Sequence, residues 1–249
     1  MSEPLSWIAT FAVGFAATFV FVTTGGVGMV TIPALIFLGL TPQAAVATDI
    51  FALLGGRLGG LLGLLRGEKV DVALGLRLGA ATAVGAVAGA FALLSLPEEL
   101  ARQVLAAVLL VLLALLLLRP RVGVETRQPV SAARRWLGTL LFVPIGFWST
   151  LIGAGFLNLG SAVLLFVLRK TFLETAGVLT IVGLAVALTG SVIFGSNDAI
   201  VWGLGVAMLL GKAAGGYLGA RYAVKLGEQR VRWLFAAVVL LSALRLYSG

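Results

Sequence analysis

Runs of roughly 20 predominantly apolar residues recur along this chain, each long enough for a helix to cross the hydrocarbon core of a bilayer. The most leucine-rich lies between Leu100 and Leu118. A chain in lipid must satisfy its backbone internally, which leaves helices or a closed barrel. The residue-by-residue alternation of a membrane barrel is absent, so the runs are helices. Composition agrees: 60% of residues are apolar and 11% charged, with mean hydropathy +1.12, where soluble domains carry roughly a quarter charged residues. The chain is expected to be an all-α polytopic membrane protein of about eight to ten hydrophobic segments, with no soluble domain.

The segments read as follows. A first runs from about Leu5 to Thr23, a short one from Met29 to Leu40, and three longer ones from Ala44 to Leu65, Val72 to Leu94 and Leu100 to Leu118. Thr41-Pro42 gives the third an N-cap with proline at the first helical position. A basic stretch from Arg119 to Arg135 follows. Segments then run from Trp136 to Ile152, Phe156 to Leu168 (again short), Phe172 to Phe194, Ile200 to Ala223 and Val231 to Tyr247. The expected organisation is an N-terminal transmembrane repeat over 1–118, a cytoplasmic basic linker over 119–135 and a C-terminal inverted transmembrane repeat over 136–249.

Two places interrupt the apolar pattern. Thr23-Thr24-Gly25-Gly26-Val27-Gly28 breaks the first half, and Ser149-Thr150-Leu151-Ile152-Gly153-Ala154-Gly155 breaks the second. Each is followed by a segment too short to span at ~1.5 Å per residue. Non-helical chain at membrane depth survives only where it is buried in protein or lines a polar cavity. The two breaks are copies. Gly26 and Gly28 precede Gly153 and Gly155 by 127 residues, as Asp71 precedes Asp198, while Gly85, Gly89 and Ala90 precede Gly215, Gly219 and Ala220 by 130. This is the mark of an internal duplication.

Charge orients the halves. The loops with Arg66 and Lys69, the central stretch, Arg169 and Lys170, and the cluster Arg221, Lys225, Arg230 and Arg232 all belong on the cytoplasmic side. One side can hold all four only if each short segment returns to the face from which its half began. The second half is then inverted, and both termini are non-cytoplasmic. Inverted repeats with discontinuous helices are a construction of secondary transporters, with the site at the repeat interface.

The net charge of +8 is accounted for by these loops and does not call for nucleic acid. The chain has no Cys and no His, which excludes thiol redox chemistry and His- or Cys-ligated metals. No nucleophile constellation, phosphate loop or cofactor motif is present, so an enzyme is not expected. What remains is an anion site. The free N–H groups at the start of each half-helix, with the dipole behind them, favour an oxyanion. The N–H groups of Gly26 to Met29 and Gly153 to Phe156 are expected to face it, with Gly25 in the first break and with Thr23, Thr24, Ser149, Thr150 and Asn158 adding donors.

Arg57 and Lys212 each lie nine residues before a loop arginine, Arg66 and Arg221, roughly 13 Å deep. Intramembrane charges mark a pathway or a partner. Asp49 is the one acid well inside a span and the candidate for proton coupling. It sits eight residues before Arg57, ~12 Å along the helix and off its stripe, so Lys212 is its available partner. The small-residue runs from Gly79 to Ala90 and Gly211 to Ala220 read as helix-packing faces.

These residues also carry a family pattern. Gly25-Gly26-Val27-Gly28 through Pro33, Ala44 to Thr48, Lys69-Val70-Asp71, Gly85 to Ala90 and Leu93 to Pro97 stand in the first half. Gly146 to Gly155, Thr175-Ala176-Gly177, Gly215 to Arg221 and Val231 to Phe235 stand in the second. In their order and spacing the chain resembles the TauE/SafE sulfite exporters, or TSUP permeases, over essentially its whole length. Asp49 departs from the pattern where a small hydroxyl residue is expected, and Gly160 stands where the first copy has Pro33. The resemblance implies export of sulfite, sulfoacetate or related organosulfonates, coupled to the proton motive force, with import in some members. The expected partners are a small anionic substrate, the lipid bilayer of a prokaryotic inner membrane, protons as candidate coupling ion, and a second copy in a homodimer. An anion channel, an uptake permease for another anion and a non-transporting membrane protein are the alternatives.

Overall fold

The computed structural model describes residues 3–21, 26–64, 71–118 and 130–222. Among them it contains helices and no strand: α1 (Glu3–Phe21), α2 (Val27–Phe37), α3 (Pro42–Leu64), α4 (Val72–Ser95), α5 (Glu98–Leu118), α6 (Ala132–Ile152), α7 (Phe156–Ala162), α8 (Phe172–Ser196) and α9 (Trp202–Tyr222). The end of α7 widens into a π-helical turn over Val163–Val167. Among the described residues, four stretches are long and apolar enough to cross a membrane: Pro42–Leu62, Val72–Ser95, Ala132–Ile152 and Glu174–Ser196. Three apolar helices are shorter, Pro4–Val20, Val27–Phe37 and Phe156–Val167. The last expected segment, Val231 to Tyr247, lies outside the described residues.

Helix starts follow their caps. The Thr41 hydroxyl accepts from the Ala44 N–H as α3 opens at Pro42. Asp71 caps α4 through the N–H of Leu74. Thr171 and Glu174 form a reciprocal capping box on α8, satisfying N–H groups that would otherwise be orphaned at the membrane surface. Ser131 caps α6, so this helix begins four residues before the expected Trp136. Arg134 and Arg135 are thereby in its first turn, and the basic linker is shorter than its charge pattern suggests.

Helices of the first half of the sequence pack on helices of the second. Helix α1 lies on α9 as α6 lies on α4, and α9 lies on α3 as α4 lies on α8. Glycines make these contacts. A Cβ on Gly85 or Gly89 would run into the carbonyls of Val143 and Phe147 on α6, and one on Gly215 or Gly219 into those of Phe15 and Phe19 on α1. Backbones at this distance gain dispersion contacts, the main attraction available between helices in lipid. These contacts also give direction: Gly85 faces Val143 and Gly89 faces Phe147, Gly211 faces Phe11 and Gly219 faces Phe19, and Gly55 and Gly59 face Leu209 and Ala213. Hence α1, α3 and α9 run one way. Helices α4 and α6 run parallel to each other, as α4 and α8 do through Gly75 with Ile181 and Gly79 with Ala185. Between α3 and α8 the order reverses, Gly190 meeting Ile50 and Gly183 meeting Arg57.

Parallel α1 and α3 require the chain between them to come back, so α2 is the return limb of a hairpin, as α7 is between α6 and α8. The starts of α4, α6 and α8 and the ends of α3 and α9 therefore share one face. Among the described basic residues, Arg134, Arg135, Arg169, Lys170 and Arg221 stand at those ends, while Arg102 lies near the start of α5. Outward-facing Ile8, Leu62, Val84, Leu140 and Val192 are exposed, the surface a lipid-solvated bundle presents.

Candidate functional site

The two breaks meet. Gly26 (φ 125°), Gly153 (φ 73°) and Gly155 (φ 85°) all take a backbone conformation that a side chain disfavours, and this lets the chain reverse within a turn. A Cβ on Gly28 would collide with the Gly153 carbonyl oxygen, so the first limb of α2 touches the second break directly. The indole N–H of Trp148 donates to the Ala154 carbonyl at 3.0 Å, holding that turn in shape. Side-chain caps are absent from both half-helices, at Gly26 and at Gly155.

A cavity of about 60 Å³ opens where they meet. That volume exceeds the ~10–15 Å³ needed for one water and suits a small ion. Gly26, Val27 and Gly28 form one wall and Gly153 to Leu157 another. Thr18 from α1 and Asp49, Leu53, Gly56 and Arg57 from α3 complete it. Two polar groups here are buried without a hydrogen-bond partner among the described residues, Thr18 Oγ1 and Arg57 Nε. The Arg57 guanidinium lies 5.4 Å from the centroid of the Phe156 ring in a cation–π contact. Gly183 of α8 leaves the notch that it occupies, since a Cβ there would meet its Nε and Cζ.

Behind the wall, Lys212 of α9 is fully buried. Its Nζ donates to Asp49 Oδ1 at 2.6 Å and to the Asp49 carbonyl at 3.3 Å. An ionic pair of this kind persists away from water only with such close geometry.

Of the sequence-predicted residues, the structure brings Gly26, Gly28, Arg57, Gly153, Gly155 and Asp49 to the cavity. It turns Ser149 and Thr150 elsewhere. Ser149 donates to the Ile145 carbonyl at 2.5 Å, and Thr150 donates to Ala86 of α4 at 2.8 Å and to Gly146. A hydroxyl inside an apolar helix bonds the nearest carbonyl when no better acceptor is presented, and Thr150 thereby ties α6 to α4. Lys212 is held behind Asp49 and is not in the wall, and Asn158, in the first turn of α7, is not in it either. Thr23, Thr24 and Gly25 lie outside the described residues. Thr18, Gly183 and the ring of Phe156, expected only for its N–H, went unpredicted: Thr18 is eight residues before Gly26 with no local mark, and the other two act through contacts between segments far apart in sequence.

The family model for the sulfite exporter TauE/SafE matches residues 10–246. The chain belongs to this family. It is similar to the probable membrane transporter protein ORF9 of a Sinorhizobium species, 30% identical over 247 residues that cover 95% of this chain and 90% of that one. It is also similar to probable membrane transporter proteins of Haemophilus influenzae (26% identical, covering 89% and 87%) and of Escherichia coli, there named YfcA (26%, covering 100% and 93%). No solved structure matches. The TauE/SafE chain described here is thus an integral membrane protein and a membrane transporter.

Proposed function

We propose that this transporter moves a small sulfur-containing anion, such as sulfite or an organosulfonate, outward across a prokaryotic inner membrane by alternating access of two inverted halves. One observation carries the reading: a small cavity at the meeting of the two chain breaks holds an arginine whose Nε has no partner among the described residues. Buried donors without acceptors are costly, and an oxyanion supplies the missing acceptors. The uncapped start of α2 adds N–H groups and a favourable dipole end. The opposed directions of α1 and α3 against α6 and α8 support the inverted halves. Asp49, in the cavity wall beside Lys212, is the acid through which a proton gradient would act.

Flux into proteoliposomes tests this. Saturable uptake of radiolabelled sulfite or methanesulfonate is expected, with loss in Arg57→Ala. Absence of saturable uptake for every sulfur oxyanion tried removes the substrate reading. A pH profile unchanged in Asp49→Asn removes Asp49 from coupling.

A further inference from the structure

The anion reading of this cavity leads to a narrower statement about which anions fit, through a count of charge. Among the described residues the wall carries two charged side chains, Asp49 and Arg57, and Lys212 stands directly behind Asp49. The Lys212 Nζ sits 2.6 Å from Asp49 Oδ1, with side chains 0% and 3% exposed. Whether the shared proton rests on nitrogen or on oxygen, this pair sums to zero. The Arg57 guanidinium is charged near neutral pH; it lies against the Phe156 ring and in the notch at Gly183, and its Nε has no hydrogen-bond partner among the described residues. The site therefore carries one net positive charge.

One negative charge balances it. A dianion would leave an uncompensated charge in a low-dielectric interior, where charge interactions are several times stronger than in water. The start of α2 contributes only about half a unit charge, and the remaining walls are glycine backbone and the apolar Val27, Leu53 and Leu157. No second free cation stands in the described wall.

We propose that Asp49 is a charge selector: by holding Lys212 in a neutral pair it restricts the site to singly charged oxyanions. Hydrogensulfite and simple sulfonates meet this rule; sulfate and sulfoacetate, with two charges, do not. Methanesulfonate and sulfate make the test pair, because both are tetrahedral and of similar size while a methyl group in one replaces a charged oxygen in the other. Purified wild-type protein in liposomes at fixed pH should take up methanesulfonate in preference to sulfate by about tenfold or more. Asp49→Asn frees the lysine and should raise the sulfate-to-methanesulfonate ratio by about tenfold. Asp49→Asn/Lys212→Met removes both charges, avoids an unpaired buried ion, and should keep the wild-type ratio whatever its rate. Equal uptake of the two anions by the wild type, an unchanged ratio in Asp49→Asn, or a turn toward sulfate in the double variant overturns the selector. Uptake of neither anion, nor of sulfite, would instead count against the transport reading on which it rests.

Discussion

At the scale of single residues, the decisive group is Arg57, and its position is set by what is missing on α8. With no side chain at 183, the guanidinium lies in a notch against the Phe156 ring. Gly183→Ala should push the flexible end of Arg57 aside and leave the helices in place. The expected result is near-normal thermal stability in detergent with KM for the transported anion raised about tenfold, and no added loss when combined with Arg57→Ala. Additive losses would mean that Gly183 serves packing alone. The buried pair behaves differently. Lys212→Ala strands the Asp49 carboxylate and should cost about 3–5 kcal/mol, read as a lower unfolding temperature, and the double neutral variant should recover most of it. The depth of Arg57 and Lys212, and the pairing open to Asp49, were legible from distances to loop arginines. The unpartnered Thr18 hydroxyl was not, because nothing beside it in sequence marks the helix face that meets the cavity.

Elements were the most legible scale, since caps and breaks are local chemistry. Thr41-Pro42 begins its helix where the residues indicate, Val72 and Phe172 begin theirs where the apolar runs do, and the glycines that reverse the chain do so with positive φ. The directions of the Ser149 and Thr150 hydroxyls were illegible, because a helix carbonyl and a neighbouring helix compete for them with any ligand. Two predictions belong here. Gly28→Ala inserts a methyl group between the breaks and should abolish uptake even where the protein still inserts and migrates as a monodisperse species on gel filtration. Asp71 is held below its ordinary carboxyl value of 3.8, first by the Leu74 N–H and then by Lys170, against an opposing effect of burial. A depressed folded-state value stabilises above the unfolded pKa and is lost as pH falls through the folded one. Asp71→Ala should therefore lower stability by about 1 kcal/mol near neutral pH, and the gap to wild type should close only below about pH 4.

For the whole molecule, the proposed alternating access turns on which contacts would part at each face. At each face a helix start from the second half meets a helix of the first. On the basic face, Lys170 before α8 bonds Asp71 before α4 at 3.1 Å and lies 3.9 Å from Glu174. On the other, the Val201 N–H before α9 donates to Thr48 of α3 at 3.0 Å, and Trp202 meets Phe51 edge-on at 5.1 Å. The contacts are equivalent in the packing scheme and different in chemistry. A partly exposed ion pair is worth about 0–1 kcal/mol, so the basic face would separate at little cost, whereas the other would have to part an aromatic contact and a part-buried hydrogen bond. If α4 and α8 separate at this face during each cycle, joining them stops the cycle. The chain has no cysteine, so Asp71→Cys with Lys170→Cys supplies the only thiols. Bridging that pair with a short, cleavable bifunctional thiol reagent should halt uptake in liposomes, and cleavage should restore it, while each single cysteine variant treated alike keeps transporting. Undiminished flux through the bridged protein would show that the halves part elsewhere, and would move the gate to the Thr48 and Trp202 side.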